Sequence, residues 1–191
     1  MVGCKRIVAY FDDPGERNTD EVLKLAKERA EELGIKDIVV ASTEGETGVK
    51  AVKMFKDFNV VVVTHHTGFR KPGYQELTKE NRRLIEENGG KIFTGTHAFM
   101  NVERAILRKL GTAYPTEIIA HTLRLFGEGM KVAVEIVAMA ADAGLIPVDR
   151  DVISIAGTGR GADTAIVIRP ANSKDLFDMI IREIIAKPRN R

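Results

Sequence analysis

Four short runs constrain this chain more than any other feature in it. Residues 7–11, 38–41, 60–64 and 92–94 are mostly β-branched and almost free of charge, and segments of helical periodicity separate them. The run Ile38-Val39-Val40-Ala41 shows no polar alternation at all. A strand that is apolar on both faces has to be covered on both faces, so such runs predict a parallel sheet with helices on either side. Strand and helix in alternation give an α/β sandwich. Residues 152–156 and 165–168 read as two further strands, separated only by residues 157–164. Parallel neighbours need a crossover of about a dozen residues or more, so this pair is expected to run antiparallel. The expected sheet is therefore mixed and mostly parallel, with an antiparallel edge strand.

The helices between these strands carry their own punctuation. Asn18 precedes Thr19-Asp20-Glu21 in the pattern of a capping box, and Gly34 closes the helix that follows. Residues 48–58 read as a second helix with Val49, Val52 and Phe55 inward, and residues 78–88 as a charged, exposed third. Residues 101–110 follow, and Thr116 is expected to cap the next segment after Pro115. Residues 130–143 stand apart, with Lys131, Glu135 and Asp142 as their only charges. Such a helix is too short to span a bilayer and reads as a central packing helix or as the interface of a homo-oligomer. Ser173 is expected to cap a final helix through Ile185. No repeat, low-complexity tract or linker divides the chain, so residues 1–191 read as one domain with a basic tail at about 187–191.

Charge and cysteine content remove several functional classes. Lys and Arg number 29 against 27 Asp and Glu, a net charge of +2 with interspersed signs. That is no electrostatic footprint for nucleic acid. Lys187, Arg189 and Arg191 read as a frayed, solvated tail. Cys4 is the lone cysteine, which excludes an intrachain disulfide and suits a reducing compartment. No apolar core precedes Arg6 as a secretory signal would require, and no run reaches the ~18 apolar residues of a membrane span. The expectation is a soluble cytoplasmic protein with no membrane or nucleic-acid partner.

Ligands of such sheets bind outside the carboxyl ends of the strands, and here those ends carry the unusual residues. The strongest candidate is Ser42-Thr43-Glu44-Gly45-Glu46-Thr47-Gly48. It joins a buried strand to a helix, so its backbone N–H groups sit where the helix dipole favours an anion. Its hydroxyls can donate to phosphate oxygens, whereas Glu44 and Glu46 would repel phosphate unless they point away. The loop lacks the G-K-[ST] ending of a Walker loop, and an ordinary turn with capping hydroxyls stands as the alternative. Gly157-Thr158-Gly159-Arg160-Gly161 leads into a strand rather than a helix, which excludes the dinucleotide fingerprint. It reads either as a hairpin turn or as a loop lying on a ligand, with Arg160 as donor. Thr64 and His65 end the third strand. Adjacent His65 and His66 should point to opposite sides, so one of them at most is expected to face the same cleft as His97. The ligand count argues against a metal. Asp12 and Asp13 read as a turn, a base or magnesium ligands. No nucleophile constellation emerges, because Ser42 and Ser154 lack the G-x-S-x-G elbow.

The stretch from Ile38 to Gly48 resembles the C-terminal α/β domain of pyruvate kinase, where a buried strand runs into a Ser/Thr/Gly loop. The segment Ala143-Gly144-Leu145-Ile146-Pro147, the strand to Ala156, the glycine-rich loop and the strand to Ile168 are similar to that domain's closing strand, effector loop and antiparallel edge. The resemblance implies a three-layer α/β/α sandwich with five or six strands. A catalytic barrel takes about 250 residues and has no room in 191, so pyruvate kinase activity is not implied. Small stand-alone proteins of this type, mainly archaeal, are similar in size, and the resemblance suggests flavin mononucleotide (FMN) as cofactor. Residues 42–48 would take its phosphate, and the loops with Thr64, His65 and residues 157–161 would border ribityl and ring. A binding protein for a phosphorylated small molecule is thus the first expectation. An enzyme using His65, His97, Asp12 and Arg160, and a regulatory or interaction module built on the apolar helix, are the alternatives.

Overall fold

The computed structural model describes residues 5–112 and 114–190. Cys4 and Arg191 lie outside them. The strands are β1 (Ala9–Phe11), β2 (Asp37–Ala41), β3 (Asn59–Thr64), β4 (Lys91–Thr94), β5 (Val152–Ala156), β6 (Thr164–Arg169) and β7 (Ile180–Pro188). The helices are α1 (Thr19–Leu33), α2 (Glu46–Met54), α3 (Lys79–Glu87), α4 (Val102–Leu110), α5 (Pro115–Arg124) and α6 (Glu128–Asp142). One seven-stranded sheet runs in the order β1-β7-β6-β5-β2-β3-β4.

Alternation along each strand sends neighbouring side chains into opposite layers. Ile38, Val40, Val60, Val62, Ile153, Ile155, Ala165 and Val167 pack under Val22, Leu23, Ala26, Val52, Phe55 and Ile85 of the α1–α3 layer. Val39, Val61, Val63, Val152, Ile166 and Ile168 face Met130, Ala133, Val137 and Ala140 of α6, with Ala120 of α5 beside them. Both faces of β2, β5 and β6 are buried, which is why these strands carry no polar face. The three-layer α/β/α sandwich is therefore the observed fold. Strands β2, β3 and β4 run parallel, β2 also pairs parallel with β5, and β5 pairs antiparallel with β6.

The structure corrects the expectation at the C-terminus. In place of a helix capped by Ser173, a short 3-10 segment covers Ser173–Asp178 and the chain then extends as β7. The spacing of Phe177, Ile181 and Ile185 fits a helix, but the outer edge of β6 offers backbone partners along Ile180–Ala186. Tertiary pairing overrides the local pattern there. The sheet therefore has seven strands rather than five or six, and β6 lies inside it rather than at its edge. The described part of the basic tail is not frayed either. Lys187 and Pro188 pair with Tyr10 and Phe11 of β1, and Arg189 N–H donates to the Phe11 carbonyl at 2.8 Å.

Smaller corrections concern helix starts. Asn18 does not cap α1, because a 3-10 turn at Glu16–Asn18 runs straight into it and the Asn18 amide donates to the Asp13 carbonyl. Pro115 opens α5 after Tyr114, leaving Thr116 inside the helix, where its hydroxyl donates to Glu103. Thr78 does cap α3, accepting from Asn81 N–H at 3.1 Å. No helix among the described residues is long and apolar enough to cross a membrane.

Candidate functional site

Strand order reverses beside β2: the chain moves outward through β3 and β4, then returns to place β5 on the other flank. The loops after β2 and β5 diverge there and leave a crevice at the carboxyl edge. A cavity of about 300 Å³ occupies it. Its walls come from the loops after β2, β3, β4 and β5, and its floor from Lys131, Val132, Glu135 and Ile136 of α6.

The loop after β2 is held from three sides. Ser42 N–H donates to the Val63 carbonyl at 3.0 Å, and the Ser42 hydroxyl accepts from Gly48 N–H at 3.1 Å. The Glu44 carbonyl accepts from the Asn81 amide at 2.9 Å and from Thr78 N–H at 3.2 Å. Gly45, with φ of 106°, turns the chain into α2 where a Cβ would lie 2.5 Å from Asn81. Gly48 lets α2 approach the sheet, since a Cβ there would lie 2.7 Å from Val62. Among the described residues, no acceptor engages the N–H groups of residues 43–47 or the hydroxyls of Thr43 and Thr47. Unpaired donors at the start of a helix are the elements of an anion site. The Glu44 carboxylate is drawn to Arg160 Nη2 at 2.7 Å, which ties this loop to the glycine-rich one and offsets its charge.

The glycine-rich loop rests on Asp163, which is fully buried. Its carboxylate accepts from Gly15 N–H at 2.9 Å, Thr158 N–H at 3.0 Å and the Thr164 hydroxyl at 2.8 Å. Gly157, Gly159, Arg160 and Gly161 line the cavity above it.

The opposite wall is aromatic and charged. Phe69 stacks on His65 at 3.8 Å between ring centroids and lies 5.5 Å from His97. His65 Nδ1 sits 2.8 Å from Glu76 Oε2, and Arg70 Nε lies 2.7 Å from Glu76 Oε1. Burial pushes the His65 imidazole below its ordinary value and outweighs the opposing pull of Glu76, so the ring is neutral near pH 7. On the floor, Lys131 Nζ bonds to Glu135 Oε2, with both side chains almost wholly buried. Glu135 Oε1 accepts Phe99 N–H at 2.8 Å, and Oε2 faces His97 Nδ1 at 3.6 Å. Burial alone would raise the Glu135 carboxyl, but His97 and the Lys131 ammonium prevail and hold it at about 2. No three His, Cys, Asp or Glu side chains among the described residues are placed to share a metal ion.

Residues 20–168, from the first turn of α1 almost to the end of β6, match the pyruvate kinase alpha/beta domain. The chain belongs to that family. Among solved structures it is similar to two structures of pyruvate kinase from Cryptosporidium parvum, at 15% and 14% identity with TM-scores of 0.41 and 0.40. Each similarity covers 80% of this chain and 23% or 22% of the other. A third, the Cryptosporidium parvum enzyme in complex with ADP, gives 15% identity and a TM-score of 0.38 over 78% of this chain and 22% of that one. The chain spans less than a quarter of the length of these pyruvate kinases.

This pyruvate kinase alpha/beta domain brings together most of the residues that its sequence singles out. Ser42, Thr43, Glu44, Glu46, Thr47, Thr64, His65, Gly157, Gly159, Arg160 and Gly161 all line the one cavity. Gly45, Gly48 and Thr158 stand behind the lining and shape the loops. Ser42 and Thr64 have committed hydroxyls, the first to Gly48 N–H and the second to Thr94 Oγ1 at 2.7 Å. Asp12 and Asp13 are not in the lining; Asp13 pairs with Arg17, and the Asp12 carbonyl accepts from Asn190. Of the adjacent pair, His65 lines the cavity with His97 and His66 does not, although the His66 ring lies 5.5 Å from that of His97, because β3 ends at Thr64 and the alternation rule stops there. Sequence reasoning missed Lys131, Glu135, Phe69 and Arg70 as lining residues. The available signal was the oppositely charged pair spaced four apart on an otherwise apolar helix.

Proposed function

We propose that this chain binds a phosphorylated small molecule in the cavity, with FMN as the ligand. The phosphate sits on the N–H groups of residues 43–47 and the hydroxyls of Thr43 and Thr47, with Arg160 at the rim. The observation that carries this reading is the array of unengaged donors at the start of α2, opening into a cavity of small-molecule scale. Two further features support it. The Glu44 carboxylate is occupied by Arg160, so one of the two acidic residues that would oppose a phosphate is compensated. The wall built from Phe69 and His65 offers a flat aromatic surface to a planar ring. The reading is one of binding, and phosphoryl transfer to or from pyruvate is no part of it.

The test is a titration of the full chain with FMN and with riboflavin, followed by flavin fluorescence. FMN should bind at least about tenfold more tightly than riboflavin, and Thr43→Ala with Thr47→Ala should narrow that gap, since charge-assisted contacts are lost. Equal binding of the two flavins would refute the phosphate site, as would a gap left unchanged by the double substitution. Absence of FMN binding would refute the ligand.

A further inference from the structure

Helix α6 carries an ion pair into an apolar layer. Lys131 and Glu135 are each 2% exposed, beneath the cavity. Removing two charges from water carries a large desolvation cost, and a well-packed apolar pair would often serve stability as well or better. The pair therefore calls for a reason beyond packing.

Its geometry supplies one. Every oxygen of Glu135 is committed: Oε1 to Phe99 N–H, and Oε2 to Lys131 Nζ with His97 Nδ1 facing it. An imidazole that directs its Nδ1 hydrogen at that carboxylate, and carries no second proton, presents Nε2 as an acceptor. The His97 side chain is 10% exposed, and its Nε2 makes no hydrogen bond with any described residue. An acceptor left unpaired at that depth is costly unless something donates to it. Lys131 supplies the complementary donor, because its ammonium has three hydrogens and sits on the same carboxylate oxygen that His97 faces. His97 and Lys131 both line the cavity, as do Phe69 and His65.

We propose that His97 and Lys131 read the imide edge of a planar oxo-heterocycle, taking its ring N–H at His97 Nε2 and its carbonyl at Lys131 Nζ. The proposal rests on the phosphorylated-ligand reading above and assigns the part of the ligand remote from the phosphate. Glu135 acts as a positioning residue, fixing the tautomer of His97 and the place of the ammonium. FMN has such an edge, and a uridine phosphate shares it. The site would refuse a ring whose imide nitrogen is blocked, because a methyl group there neither donates to Nε2 nor leaves room for the approach.

The experiment compares FMN with N3-methyl FMN on the full chain at pH 8. The wild type should prefer FMN by roughly tenfold or more, the scale of one buried hydrogen bond and a steric conflict. His97→Leu should abolish the preference, and His97→Gln, which can still accept, should restore part of it. Thr43→Ala with Thr47→Ala should weaken both ligands and leave their ratio unchanged. Equal binding of the two flavins by the wild type would overturn the proposal while leaving the phosphate site standing. A preference that survives His97→Leu would overturn the role of His97. Failure of the wild type to bind either flavin would overturn both readings.

Discussion

Replacing Glu135 by glutamine should destabilise the protein near neutral pH by an amount that shrinks as the solution is acidified. Glu135 is held at about 2 in the folded chain, against an ordinary 4.5. A carboxyl with a depressed folded value binds fewer protons in the native state than in the unfolded one. Its contribution is complete above the unfolded value and is lost as pH falls through the window from 4.5 to about 2. The gap corresponds to about 3 kcal/mol, the scale measured when one member of a buried ion pair is removed. Glutamine does not titrate, so the variant lacks this term at every pH. Urea unfolding of both proteins, followed by far-ultraviolet circular dichroism at several pH values from 7 to 2.5, gives the difference directly. It should be about 3 kcal/mol at pH 7, begin to fall near pH 5 and lose most of its size by pH 2.5. A difference that stays level across that window, or grows in acid, would refute the assignment of Glu135 as a buried, ionised carboxylate.

Two further outcomes test the packing around the site. Gly129→Ala places a Cβ 2.2 Å from the Thr164 hydroxyl and 2.8 Å from the Asp163 carboxylate, both fully buried, so it should cost about 1–3 kcal/mol and lower Tm by several degrees. An unchanged melting temperature in differential scanning calorimetry would contradict the close contact of α6 with β6. Ser42→Ala removes the acceptor for Gly48 N–H inside α2 and should cost about 1 kcal/mol in urea unfolding, because a buried donor is left without its partner.

The parts of the fold that could be read from the chain are those where one segment settles the matter alone. The run from Ile38 to Ala41 is apolar on both faces and is covered on both. Residues 157–163 are too few to cross over, and β5 and β6 pair antiparallel. The loop containing residues 42–48 leaves a buried strand for a helix, and its place at the carboxyl edge follows from that connection. Lys131 and Glu135 were harder to read because in sequence they are only two polar interruptions of an apolar helix. Phe69 and Arg70 lie in a long connection with no period at all, and only its folding back over His65 and Glu76 brings them to the cavity.

Local pattern along the chain established the class of fold, the both-face burial of the central strands and the edge of the sheet at which the cavity-lining loops gather. These follow from hydrophobic pattern and connection length, which act within a few residues. Tertiary structure alone decided that residues 180–188 form a strand, since their apolar spacing suits a helix and the edge of β6, with β1 on the other side, supplies the competing hydrogen bonds. It also decided that His97, Lys131 and Glu135 meet. Their charges and their one unpaired nitrogen acquire meaning from shared burial beneath a cavity, and burial of that kind is a property of the assembled layers.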